Sequence, residues 1–123
     1  MPKFEKFRRS KATSASVPMV SVHLRGIFAL NDLAYEALDK PDAIELFYDK
    51  DERVIGMKGA PRSSPDAYAV RRGTAHSFQV EGRTFLKFYG IPQEATGRRY
   101  VAEMDDDILT IDLNQEPSEG TGE

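Results

Sequence analysis

Residues 27–38 read IFALNDLAYEAL, and residues 77–88 read SFQVEGRTFLKF. The two segments share a single letter, Phe28 with Phe78, yet at the same shift of 50 Leu30 meets Val80, Tyr35 meets Phe85 and Leu38 meets Phe88. One hydrophobic pattern is written twice in different residues. Upstream of the first segment, Val20, Val22, Leu24, Phe28 and Leu30 fall on alternate positions with Gly26 in phase. That is the period of a half-buried strand, bent at the glycine. Asn31 is a good N-cap and Asp32 suits the first turn of a helix. Leu30, Ala34 and Leu38 recur at helical spacing until Pro41 ends the element and restricts Lys40 before it.

Beyond Pro41, AIELFY (43–48) alternates, DKDE (49–52) is a turn and RVIGMK (53–58) returns, which together predict a hairpin. GAPRSSPD (59–66) is linker-like. The order then repeats. Tyr68, Val70, Thr74, Phe78 and Val80 alternate, a short helix over 82–89 carries Phe85 and Phe88, and Gly90 supplies its C-cap before Ile91 and Pro92. RRYVAEM (98–104), DDD (105–107) and ILTIDL (108–113) form a second hairpin, in which Ile108, Leu109 and Ile111 match Val54, Ile55 and Met57. Residues 18–59 and 67–113 thus read as two strand–helix–hairpin units joined by a linker at 60–66. Each has about 45 residues, close to the lower limit for independent folding, so each is expected to complete the other's core. The predicted fold class is α+β, mainly antiparallel β, in one domain over 17–113. A basic flexible arm (1–16) and an acidic flexible tail (114–123) are expected to flank it.

Composition narrows the chemistry. The 123 residues contain no cysteine, which removes thiol catalysis, zinc–thiolate sites and disulfides. No segment approaches the roughly 18 to 20 apolar residues of a membrane-spanning helix, and a soluble cytoplasmic protein is expected. The net charge of −3 is unevenly spread. Lys3, Lys6, Arg8, Arg9 and Lys11 face only Glu5 in the arm, whereas the tail carries Glu116, Glu119 and Glu123 without a base. With an acidic body, any contact to a polyanion must use local clusters.

The segment RGIFALNDLAYEALDKPDAIELFYDKDERVIGMK (25–58), and more faintly 72–113, resembles the AbrB/MraZ superfamily of swapped-hairpin β-barrels. The resemblance implies a tandem repeat in one chain, a pseudo-dimeric barrel, and a small DNA-binding transcriptional regulator with no enzymatic activity. The chain departs from the family pattern where a Gly-Arg step is inverted to Arg25-Gly26 and where Asn31 replaces a proline. Its first helix is also acidic, with Asp32, Glu36 and Asp39 against Lys40. Arg25 is the closest positional match to the family's contacting arginine.

Candidate DNA-binding residues are Arg8, Arg9, Arg25, Arg71, Arg98 and Arg99, with Arg83 and Lys87 as helpers. In the arm, Phe4 and Phe7 alternate with bases, which suits phosphate neutralisation and base stacking. The competing reading is a tail whose two phenylalanines pack on the body. For the arginine pairs, the alternative to DNA is pairing with surface acids, and a strand points only one of each pair to a given face. Arg72 falls in the inward phase and must reach an edge or a carboxylate. The acids at the hairpin tips (Asp49, Asp51, Glu52; Asp105, Asp106, Asp107) read as turn residues before metal ligands. His23 and His76 do not match under the repeat, and no nucleophile, phosphate-loop or metalloprotease motif is present. No cofactor is therefore expected. Partners are DNA or, on the same fold without DNA binding, another protein. The chain is expected as a monomer or a homodimer.

Overall fold

The computed structural model describes residues 17–73 and 77–115. Expectations for the arm, the tail beyond Gln115, Thr74 and His76 lie outside those residues. Among the described residues, nine strands and two short helices follow in order: β1 (Met19–Val22), β2 (Ile27–Leu30), α1 (Asp32–Ala37), β3 (Ala43–Asp49), β4 (Val54–Ala60), β5 (Tyr68–Ala69), β6 (Arg71–Arg72), β7 (Phe78–Glu81), α2 (Arg83–Phe88), β8 (Arg98–Asp105) and β9 (Ile108–Asp112). A single turn of 3-10 helix, Gln93–Ala95, precedes β8.

The strands form one antiparallel sheet in the order β5-β3-β4-β9-β8-β1-β2-β7-β6. Its two outer strands, β5 and β6, are separated in sequence by Val70 alone, so the sheet curls into a nearly closed barrel. At that seam the Val70 amide turns aside to donate to Asp42 O at 3.0 Å. The inward phase fills the centre. Val20, Val22, Phe28, Leu30, Ile44, Ile55, Met57, Val80, Tyr100, Leu109 and Ile111 are essentially inaccessible and belong to one core. Removing such large apolar side chains from water is the main term that stabilises a sheet this small.

α1 and α2 sit at opposite ends of the β2–β7 ladder, because Leu30 pairs with Phe78 and Ile27 with Glu81. Asn31 caps α1 as expected. Its Oδ1 accepts from Ala34 N at 2.9 Å and from Met19 N at 3.0 Å, and its amide donates to Val17 O at 3.1 Å. One side chain thus fastens the helix to the strand before it. Gly90 (φ 62) ends α2, with Ile91 N returning to Leu86 O at 3.0 Å.

Two expectations need correction. Residues 18–30 are not one bent strand: β1 and β2 pair antiparallel, Val22 opposite Phe28, and the chain reverses through 23–26. Gly26 (φ 93) permits that reversal, and its amide donates to His23 O at 2.9 Å. Phe88, expected inward, is 78% exposed, and Leu86 is buried in its stead. The N-caps explain this: Asn31 and Gly82 are 51 residues apart, not 50, and one residue turns a helical side chain by about 100°. Arg72, in the inward phase opposite Phe78, reaches an edge as expected: β6 is an outer strand and the side chain is exposed. Its guanidinium lies 5.5 Å from the Phe78 ring centroid. Tyr35 also stacks on that ring, with centroids 3.8 Å apart. A cation over an aromatic face is the stabilising arrangement here, with no carboxylate required.

Candidate nucleic-acid interface

The outward phase of the sheet carries charge in an ordered way. In antiparallel ladders directly paired residues share a face. Arg71 pairs with Gln79, Gln79 with Ala29, Ala29 with Ser21 and Ser21 with Arg99. Arg71, Gln79, Ala29, Ser21 and Arg99 therefore form one row across β6, β7, β2, β1 and β8. An exposed guanidinium stands at each end and small or neutral residues lie between. Four strand spacings separate the ends, about 19 Å along the sheet. The next row adds Ile27 and Glu81. A shallow depression of about 190 Å³ opens between Ile27, Tyr68, Arg71, Gln79 and Glu81.

A second group gathers around the 23–26 turn, which carries Arg25. The turn packs so closely on α2 that a Cβ at Gly26 would lie 2.7 Å from Arg83 Cα, and Gly82 N donates to Gly26 O at 2.9 Å. On its other side, Gly97 N donates to Val22 O at 2.6 Å, which brings Arg98 to the same place opposite Val22. Arg25, Arg83 and Arg98, from three separate segments, are exposed around one turn. Lys87 follows Arg83 by four residues and so shares its side of the helix. Arg98 is partly anchored, its Nε donating to Glu94 O at 2.6 Å. Arg8 and Arg9 lie outside the described residues.

The hairpin wall has the opposite character. Its outward rows are Glu45–Lys58–Ile108–Asp105, Phe47–Gly56–Thr110–Glu103 and Asp49–Val54–Asp112. Five carboxylates share this surface with one ammonium, Lys58, which pairs with Asp107 at 3.4 Å. The tip acids act as turn residues: Asp49 Oδ1 accepts from the Asp51 and Glu52 amides, both at 3.0 Å. Among the described residues, no cluster of potential metal ligands occurs, and apart from the Tyr100 phenol no polar or charged side chain is buried. Nor is any helix there long and apolar enough to cross a membrane.

Among the described residues, one titratable group departs from its usual range. Burial raises the Tyr100 phenol above 10, with the Arg98 charge opposing, and its hydroxyl donates to Ala95 O at 2.7 Å. Sequence reasoning missed Ser21, Ala29 and Gln79 as the floor between the arginines. Their outward phase was legible, but their alignment depends on ladders joining distant segments. Comparison of the chain with protein-family models, curated proteins and solved structures gives no match.

Proposed function

We propose that this chain is a small non-enzymatic DNA-binding regulator of the AbrB/MraZ type, built from two interleaved strand–helix–hairpin repeats. The pairing registers support the repeat. Adding 50 to Ser21↔Ala29 and Val22↔Phe28 gives Arg71↔Gln79 and Arg72↔Phe78, the pairs of β6 with β7. The same shift exchanges Phe28↔Val80 with Leu30↔Phe78 inside the β2–β7 ladder. A shift of 54 exchanges Ile55↔Ile111 with Met57↔Leu109 inside the β4–β9 ladder. Each hairpin also meets the leading strand of the other half: β8 pairs with β1, and β3 with β5. These relations support the reading of a quasi-twofold swapped-hairpin barrel. Its second leading strand is broken at Val70.

The functional reading is carried by the row from Arg71 to Arg99, free of carboxylates, beside Arg25, Arg83 and Arg98. Guanidinium groups at the ends would hold phosphates, while the short side chains between let a duplex approach. The 19 Å span is comparable with a major groove of about 12 Å and its flanking backbones. An electrophoretic shift titrated with salt tests the proposal. Duplex DNA should be retarded at low salt, less so as salt rises, and less by Arg71→Ala or Arg98→Ala chains. No retardation even at low salt would contradict it.

A second reading, a protein-interaction module on the same barrel, is favoured by the acidic hairpin wall with Phe47 exposed among its carboxylates. Pull-down by a basic partner that survives Arg71→Ala and Arg98→Ala, together with absent DNA retardation, would select it.

A further inference from the structure

The two ends of the barrel complement one another. At the α2 end the 23–26 turn raises Leu24, 67% exposed, as an apolar knob. The knob is held in place: His23 N donates to Ile27 O at 2.8 Å, and a Cβ at Gly97 would lie 3.2 Å from Leu24 Cδ2. Arg25, Arg83 and Arg98 are exposed around the same turn. At the α1 end lies a groove of about 510 Å³, with Leu38, Pro41 and Met104 in its apolar lining. The charged residues that line it are Asp39, Asp106, Asp107 and Lys58, and the Lys58 ammonium is held by Asp107 at 3.4 Å. Asp39 and Asp106, both exposed, are left to give the groove its negative charge.

An apolar knob among guanidinium groups and an apolar groove edged by carboxylates are opposite in charge. A single chain does not bring them together. Along β8, six residues separate Arg98, opposite Val22 beside the turn, from Met104 in the groove, about 20 Å of strand. A second copy of this chain carries the matching surface. We propose that the 23–26 turn of one copy docks in the α1-end groove of the next, with Leu24 covering Leu38 and Met104 while Arg25 and Arg98 face Asp39 and Asp106. Burial of the apolar contact supplies the attraction, and the charges set the orientation. The contact is heterologous, so it continues past two copies, and it is small, so it is weak. It covers Arg25 and Arg98 but leaves the row from Arg71 to Arg99 open, and it does not rest on DNA binding.

The test is sedimentation equilibrium of the full chain without DNA. At low salt the weight-average mass should climb with concentration from that of one chain past that of two, and fall back as salt rises. Leu24→Asp removes the knob, and Met104→Lys puts a cation in the groove. Each variant alone should stay a monomer, with amide spectra that match the unaltered chain away from the substituted site. Mixed, the two should form a one-to-one dimer and nothing longer, because each keeps the half that the other lacks. Asp39→Asn with Asp106→Asn keeps the left-handed turn positions, which Asn tolerates, and should weaken association up to about tenfold. An unaltered chain that stays monomeric at every concentration and salt would overturn the proposal. So would either variant associating as the unaltered chain does, or folded variants that stay monomeric when mixed.

Discussion

The wall made by β6, β7, β2 and β1 and the wall made by β3, β4, β9 and β8 share an inward chemistry and differ outwardly. Both send alternate apolar residues into one core, from Val20 and Phe28 on the first to Ile55 and Leu109 on the second. Outside, the first carries Arg71, one carboxylate, Glu81, and, where β8 continues the Arg71 row, Arg99, whereas the second carries Glu45, Asp49, Glu103, Asp105 and Asp112. The inward phase of a strand is constrained by packing and the outward phase is free to vary. The two walls therefore differ where packing leaves side chains free, in the outward phase and in the turns that join strands.

A glycine in the 23–26 turn and one inside β4 should break the two walls unequally. Gly26→Ala should cost about 3 kcal/mol, because φ is 93 and the new Cβ would meet Arg83 backbone at 2.7 Å. Gly56→Ala should cost less, about 1 to 2 kcal/mol, since its φ is not left-handed and its nearest obstacle is a side-chain methyl, Ile108 Cγ2 at 2.9 Å, which must shift. Urea unfolding of both variants checks the contrast. Equal losses would mean that the 23–26 turn is not tightly fitted against α2.

Arginine removal sharpens the contrast in binding. Arg71→Ala with Arg99→Ala should reduce the salt slope of DNA affinity by about 2, one for each phosphate no longer neutralised. Glu103→Gln with Asp105→Asn should leave that slope unchanged. A slope altered equally by both pairs would indicate a diffuse field in place of an oriented face.

Tyr100 offers a smaller, pH-dependent difference, because it lies where β8 meets β1. Its folded-state pKa is raised by burial, so the stabilisation is fully present below about pH 10 and is lost as pH climbs through the raised value. Tyr100→Phe should cost about 1 kcal/mol at neutral pH, through loss of the hydrogen bond to Ala95 O. It should also flatten the alkaline decline in stability. An unchanged alkaline limb would place the sensitivity elsewhere.

Much of this fold was legible in the sequence. The alternation through Val20, Phe28 and Leu30, the Asn31 cap and both hairpins follow from local rules. The reversal at Gly26 was not, for a physical reason. Val22 and Phe28 pair directly, so the turn preserves the parity of inward positions and the pattern reads as uninterrupted. Phe88 was misplaced because helix phase starts at the cap and not at an alignment shift. The need of Arg72 for an edge was legible from its inward phase, and it sits exposed on an outer strand. Of the candidate interface, the exposure of Arg25, Arg71 and Arg99 was readable. Their grouping was not, since it depends on ladders between residues up to 78 apart, as in Ser21 with Arg99.

The most direct test of the central claim is a backbone-amide NMR titration of the full chain with duplex DNA at low salt. The DNA-binding account places the largest shifts on Ser21, Arg25, Ala29, Gln79 and Arg99, with Gly56, Glu103 and Thr110 unmoved. Shifts concentrated on the hairpin wall, or none on either wall, would contradict it.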